Sequence, residues 1–222
     1  MKTLLMFLLC GLLITEALGQ SVVQEMKIAR EIAHQHIKSL KNGALLVRLK
    51  TRDKSLEAYR AAGAEELAKR IEQEQFEENL RTFNVFTEFF DFCPVYFFYA
   101  NQTKQVLSGE TKGNLLNEYL QPDSTIQLLT DTFYIAEIDV LYETLPDEDE
   151  EFDETLKDEN IQKAKNRHTE TTLQNVIVIK DRNLVQLKRP FPFYVRTMLD
   201  RFLPSKVAKF NLQLHKFYAN AN

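Results

Sequence analysis

Ala44–Leu49 (ALLVRL) and residues 93–100 (CPVYFFYA) are short apolar segments, and residues 54–86 between them have helical periodicity. Short runs rich in branched and aromatic side chains are typical of strands. Two strands that share a helical crossover usually pair in parallel, through a right-handed connection. The sequence therefore predicts a β-α-β unit.

The second strand of this unit is apolar on both faces. Successive side chains of a strand point to opposite sides, so Val95, Phe97 and Tyr99 share one side, and Tyr96 and Phe98 share the other. A strand of this composition is expected to be covered on both sides. We therefore expect the β-α-β unit at the centre of a sheet, with helices on both faces.

The connecting helix has an irregular apolar stripe. Leu56, Tyr59, Gly63, Leu67 and Ile71 follow helical spacing, and the stripe then steps by five residues before it resumes. A five-residue step indicates a kink or a π-bulge. The pattern predicts one helical stretch over residues 54–86, with a break, a kink or a π-bulge near residues 72–75.

The remaining elements complete one domain. We predict an N-terminal helix (21–41), a returning strand (104–107), a short helix (114–120), a strand (132–142), a hairpin (175–188) and a closing helix from Ser205. The buried stripe of the closing helix is predicted to be Val207, Phe210, Leu214 and Phe217 or Tyr218. The fold class is then α/β, with α+β left open, and a mixed sheet of about five strands. The domain would span residues 44–222 and follow the helix within residues 20–43.

This order of elements is similar to that of thioredoxin-like folds. The resemblance is topological and loosely covers residues 44–218. The paired cysteines of that family are absent here, since Cys93 falls on the second strand. The resemblance therefore implies a fold and no catalytic residue.

Residues 1–19 are typical of a secretory signal peptide. Lys2 precedes an apolar stretch, and Ala17 and Gly19 supply the small residues of a cleavage site before Gln20. No later stretch is apolar and uncharged over the length of a membrane span. We expect an exported protein, either periplasmic or secreted.

Cys93 is the one cysteine that remains beyond the leader, so an internal disulfide is excluded. Its place at the start of an apolar strand favours an inert, buried thiol. The alternatives are a disulfide with another molecule and a catalytic or redox thiol, which needs a base or a positive charge beside it. The sequence does not place His168 or His215 there.

Glu137 and Asp139 lie two residues apart in the predicted strand 132–142, so they share one face. The opposite face is the more apolar one, and we expect the two acids on a partly wet side. A carboxylate-based hydrolase is therefore a second alternative function.

Residues 147–159 hold nine acidic residues and one lysine, although the whole chain has a net charge of only −4. Such a run resists packing, and it predicts a mobile acidic insertion at about residues 143–172. The alternating acids resemble a calcium loop, but Phe152 occupies the position that requires Gly. A solvated loop is the favoured interpretation.

Several classes of function have no support in the sequence. There is no phosphate-binding loop, dinucleotide-binding glycine pattern, HExxH, GxSxG or CxxC motif. His34 and His36 are two apart on a helix and make a poor metal pair. The charge distribution lacks a basic stripe for nucleic acid. We expect no metal, no cofactor and no nucleic acid.

The candidate binding surface is the aromatic, proline-spaced segment that contains Phe191, Phe193 and Tyr194. These side chains are predicted either to join the core or to form an apolar patch for a protein or a small apolar ligand. The leading hypothesis is a non-enzymatic binding or structural protein of the cell envelope or the secreted space. The two enzymatic alternatives are a single-thiol redox protein and a carboxylate-based hydrolase.

Overall fold

The computed structural model describes residues 23–141, 174–192, 194–196 and 203–221. Three sequence features lie outside these residues: the signal peptide (1–19), the acidic insertion (143–172) and Phe193.

The chain alternates helices and strands, and the predicted α/β class is confirmed. The elements are α1 (residues 23–42), β1 (Ala44–Leu49), α2 (Asp53–Ala61), α3 (Glu65–Phe89), β2 (Val95–Tyr99), α4 (Thr103–Ser108), β3 (Phe133–Leu141), β4 (Gln174–Lys180), β5 (Tyr194–Arg196) and α5 (Leu203–Ala221). A single 3-10 turn, Ala100–Gln102, joins β2 to α4.

The strands form one open, mixed sheet in the order β2-β1-β3-β4-β5. β1 runs parallel to both β2 and β3, whereas β4 runs antiparallel to β3 and to the three-residue β5. The predicted parallel pairing of β1 with β2 is therefore confirmed. In register, Val47 lies beside Phe97 on one side and beside Ala136 on the other.

The prediction that β2 lies at the centre of the sheet is wrong, because β2 is an edge strand. Its two faces are nevertheless covered, and Phe97 and Phe98 are both buried. The loop that follows α4 also protects the open edge: the Leu116 N–H donates to the Phe97 carbonyl at 2.9 Å. An apolar composition on both faces thus indicates that both faces of the strand are covered, and it does not show whether the strand is central. A loop can protect the open edge of a strand in place of a neighbouring strand.

The long helix predicted over residues 54–86 is two helices, and its break lies about ten residues before the predicted kink. α2 ends at Ala61, and α3 begins at Glu65. Gly63 between them has φ +73°, a left-handed conformation that residues other than glycine rarely adopt. The break is therefore a glycine helix stop, and the five-residue step lies inside α3.

The larger core layer lies on the side of the sheet that carries α1, α3 and α5. The α5 stripe Val207, Phe210 and Leu214 is fully buried, as the sequence predicted. α1 contributes three buried side chains, Ala33, Ile37 and Leu40, so it belongs to the same core. Gly43 ends α1 against the β3 entry, where an added Cβ would lie 2.5 Å from the Thr132 carbonyl.

The smaller core layer lies on the other side of the sheet, under α4 and the loop after it. Its buried members are Ala44, Leu46, Phe98, Val106, Leu115, Phe133 and Ile135. Residues 104–107 belong to a helix rather than the predicted strand, and residues 114–120 form turns rather than a helix. The second arm of the predicted hairpin is reduced to one bridge, between Lys180 and Gln186.

Candidate functional site

A group of charged side chains joins three strands near the carboxyl ends of β1 and β3. Since Val47 lies beside Ala136, the next residues, Arg48 and Glu137, are neighbours on the same face. Arg48 Nη1 lies 2.8 Å from Glu137 Oε2, and Lys180 of β4 donates to the other oxygen, Oε1. Lys180 Nζ also lies 3.4 Å from Asp139 Oδ2. We call these four residues the strand-end ion cluster.

Burial differs sharply between the two acids that the sequence singled out. Glu137 is 8% exposed, whereas the Asp139 side chain is 51% exposed. The expectation that both stand on a partly wet face is therefore wrong for Glu137. The start of that face is covered by the smaller core layer, and the cations complete the coverage around the carboxylate.

The electrostatics of the strand-end ion cluster favour a structural role. Both oxygens of Glu137 are engaged by cations, so neither is available to accept a proton from a substrate. Burial, and then the charge of Arg48, lowers the pKa of Lys180 below its ordinary value. The cluster holds two positive and two negative side chains, a balanced arrangement typical of ion pairs that join neighbouring strands.

A crevice of about 10 Å³ opens beside this cluster, at the edge of the sheet where α/β proteins commonly bind ligands. That volume accommodates about one water molecule. Its lining is mostly polar: Arg48, Leu49, Lys50, Glu78, Asn79, Thr82 and Ile138. Neither Glu137 nor Asp139 lines it, so this crevice does not bring the two acids to a substrate.

Three buried polar residues of α3 lie at this end of the sheet, and the sequence pattern did not indicate them. Gln75 Nε2 donates to Asn79 Oδ1 at 3.2 Å, and Asn79 Nδ2 donates to the Lys50 carbonyl at 2.9 Å. The Thr82 hydroxyl donates a hydrogen bond to the Glu78 carbonyl of the same helix. Within the apolar stripe of α3, Leu80 and Phe83 pack against the core, whereas Phe76 is 41% exposed. Hydrogen bonding to the end of β1 explains why the polar side faces inward.

Cys93 lies just before β2, at the end of the strands opposite to the strand-end ion cluster. It is buried, and burial raises the pKa of its thiol to about 12, although the charge of nearby Lys41 acts in the opposite direction. His215, one of the two histidines considered as a base, is engaged elsewhere: its Nε2 lies 2.8 Å from Asp91 Oδ1. The predicted burial of the Cys93 thiol is therefore confirmed.

The predicted aromatic patch is not a surface feature at Phe191, which is 2% exposed. Its ring packs against Phe217 of α5 and His36 of α1, with centroids 6.0 and 6.3 Å away. Tyr194 begins β5. For Phe191, the core interpretation that the sequence left open is the correct one.

An apolar surface does occur in the first half of α1. Met26, Ile28 and Ile32 are 63%, 47% and 48% exposed, and we call these three residues the helix patch. Helical spacing puts Met26 on the side of buried Ala33, seven residues later, and Ile32 on the side of His36. Ile28 and Ile32, four residues apart, share one side of α1, whereas Met26 extends the core-facing side and lies about 120° around the helix from Ile32.

No protein-family model, curated protein or solved structure matches this chain. The thioredoxin-like order of elements therefore stays a prediction. Across the described ranges, no three His, Cys, Asp or Glu side chains are grouped to hold a metal ion. In the same ranges, no helix combines the length and the apolar character needed to cross a membrane.

Proposed function

We propose that this chain is an exported, non-enzymatic protein that binds a protein partner through the helix patch. The observation that carries the proposal is the exposure of three large apolar side chains within about two turns of α1, where Ile28 and Ile32 share one side and Met26 lies about 120° around the helix from Ile32. Single exposed apolar residues are ordinary, but a cluster of large ones marks an interaction surface. An amphipathic helix commonly uses such a surface to bind a groove or another helix.

The charges around the helix patch favour a protein over a lipid surface. Glu25 and Glu31 balance Lys27 and Arg30 in the exposed turns of α1. Helices that lie on anionic membranes carry an excess of basic residues instead. Mixed charges around an apolar centre are typical of the polar rim of a protein interface.

Two concave surfaces of the described regions are poorly shaped for a small apolar ligand, and this favours a protein as the partner. The crevice at the strand-end ion cluster has room for only about one water molecule. A second depression is open and is lined by Lys69, Glu72, Gln73 and Phe76. A pocket for a small apolar ligand is normally enclosed and lined mainly by apolar side chains.

The two enzymatic alternatives have less support. The redox hypothesis needs an accessible thiolate, and Cys93 is buried with a raised pKa. The hydrolase hypothesis needs a free carboxylate in a cleft, and Glu137 is engaged by Arg48 and Lys180.

Site-specific photo-crosslinking in cells that secrete the protein tests the proposed surface. A benzophenone side chain is placed at Ile32 or, as a matched control, at exposed Lys27, about 140° away around the helix at about 100° per residue. We expect a discrete crosslinked protein from position 32 and none from position 27. Equal crosslinking at both positions, or at neither, would contradict the proposal.

A double substitution then tests whether the crosslinked partner depends on the helix patch. Met26→Gln with Ile32→Gln should abolish the crosslink from position 28 and change stability by only about 0.5 kcal/mol or less, because both side chains are exposed. Val185→Gln, at an exposed apolar site remote in sequence, should leave the crosslink intact. Retained crosslinking in the double variant would rule the helix patch out.

The export part of the proposal has its own experiment. We expect the secreted protein to begin at Gln20, since Ala17 and Gly19 form the predicted cleavage site. Amino-terminal sequencing of protein recovered from the medium or the periplasm identifies the first residue. Retention of the whole chain in the cytoplasm would exclude export and would leave the binding surface to be judged by crosslinking.

A further inference from the structure

His36 lies in the seam between α1 and the sheet. Its Nδ1 is 2.8 Å from the hydroxyl oxygen of Tyr134, at the start of β3. The imidazole meets the rings of Tyr134 and Phe191 edge-on, with interplanar angles of 86° and 84°. The ring is thus held on two sides by residues outside its own helix.

The hydrogen bonds at this seam suit a neutral imidazole. Tyr134 is 7% exposed, so its O–H has little access to water and requires an acceptor. An unprotonated Nδ1 supplies that acceptor, while Ser39 hydrogen-bonds to the same phenol oxygen. Protonation would turn Nδ1 into a donor that faces the phenol oxygen, so the Tyr134 O–H would lose its imidazole acceptor and could be satisfied only if the Ser39 hydroxyl turned from donor to acceptor.

Two influences act on the pKa of His36 in opposite directions. Burial lowers its pKa below the ordinary 6.5, and the carboxylate of Asp181 acts in the opposite direction. Asp181 follows β4, where its Oδ1 accepts the backbone N–H groups of Asn183 and Val185. From α1 itself, His34 contacts Phe217 instead. Burial is the larger influence, so the uncharged imidazole is the form that this seam stabilises.

We propose that His36 is a pH-responsive latch that fastens α1 to the sheet through Tyr134 when neutral and loosens it when protonated. The folded chain binds this proton less readily than the unfolded chain, whose histidine titrates near 6.5. The stabilisation is therefore complete above that pH and is lost as the pH falls below it. The loosened part is the half of α1 that carries Ile37 and Leu40, and the helix patch precedes it.

Hydrogen exchange of the intact chain at about pH 7.5 and about pH 5.5, corrected for intrinsic rates, tests the latch. We expect protection of residues 33–42 to fall at the lower pH by at least about twofold more than protection of β1. His36→Gln keeps an acceptor for Tyr134 without titrating, so it should remove the excess loss. His34→Gln is the matched control and should retain it.

Nuclear magnetic resonance of the imidazole nitrogens provides a second readout, which does not depend on how well a variant folds. We expect Nδ1 of His36 to be unprotonated at about pH 7.5 and the ring to titrate below 6.5. A protonated Nδ1 at that pH, titration at or above 6.5, or equal loss of protection in α1 and β1 would each overturn the proposal.

Discussion

The chemistry of single residues in this chain depends on what covers them, and Cys93 is the clearest case. Its thiol is buried before β2, and burial raises its pKa to about 12. The thiolate is the reactive form, so its population near neutral pH is very small. We expect a thiol reagent to leave native Cys93 unmodified up to about pH 9 and to modify it fully once the chain is unfolded in denaturant. Rapid labelling of the native protein would restore the redox alternative.

Glu137 shows the same dependence for a charged residue. Glu137→Gln leaves Arg48 and Lys180 without their shared carboxylate, and the side chains of these two cations are 29% and 17% exposed. We expect a loss of about 1–3 kcal/mol in the free energy of unfolding, below the range for fully buried pairs because Arg48 is partly exposed. Urea denaturation measures the loss.

Asp139→Asn is the control for that substitution. Asp139 meets the same Lys180, but its side chain is half exposed, so the expected loss is about 0–1 kcal/mol. Equal losses in the two variants would show that burial does not set the strength of the strand-end ion cluster.

At the scale of elements, Gly63 determines where α2 stops and α3 starts. Its φ of +73° is strained for a residue with a Cβ, although nothing lies within 4 Å of the position that a Cβ would occupy. We therefore expect Gly63→Ala to cost about 1–2 kcal/mol through backbone strain alone. Gly63→Asn should cost less, because asparagine tolerates the left-handed region. Thermal unfolding ranks the two variants, and equal costs would contradict this explanation.

The elements also show where patterns mislead. The apolar spacing in α3 selected a side that includes exposed Phe76, while Gln75 and Asn79 face inward. Gln75 donates to Asn79, and Asn79 donates to the Lys50 carbonyl after β1, a partner that no local pattern reveals. Similarly, β2 has the composition of a central strand although it lies at the edge of the sheet, because Phe97 and Phe98 are buried in the two core layers on its opposite faces.

At the scale of the whole molecule, α1 is part of the core rather than an appendage. Ile37 is fully buried in the larger core layer, whereas Ile32, five residues earlier on the same helix, is 48% exposed. We expect Ile37→Ala to lower the free energy of unfolding by about 2–5 kcal/mol through the cavity that it leaves. Ile32→Ala should change it by about 0.5 kcal/mol or less. A small effect of Ile37→Ala would show that α1 folds apart from the sheet.

Local pattern was sufficient for the α/β class, for β1, for the parallel pairing of β1 with β2 and for the buried stripe of α5. Each of these depends on residues close in sequence or on a connection whose geometry is nearly invariant. The position of β2 in the sheet, the cation partners of Glu137 and the burial of Phe191 were decided only by the tertiary structure. Each of these depends on residues far apart in the chain, and the hydrophobic effect rewards burial without specifying which distant segment provides it.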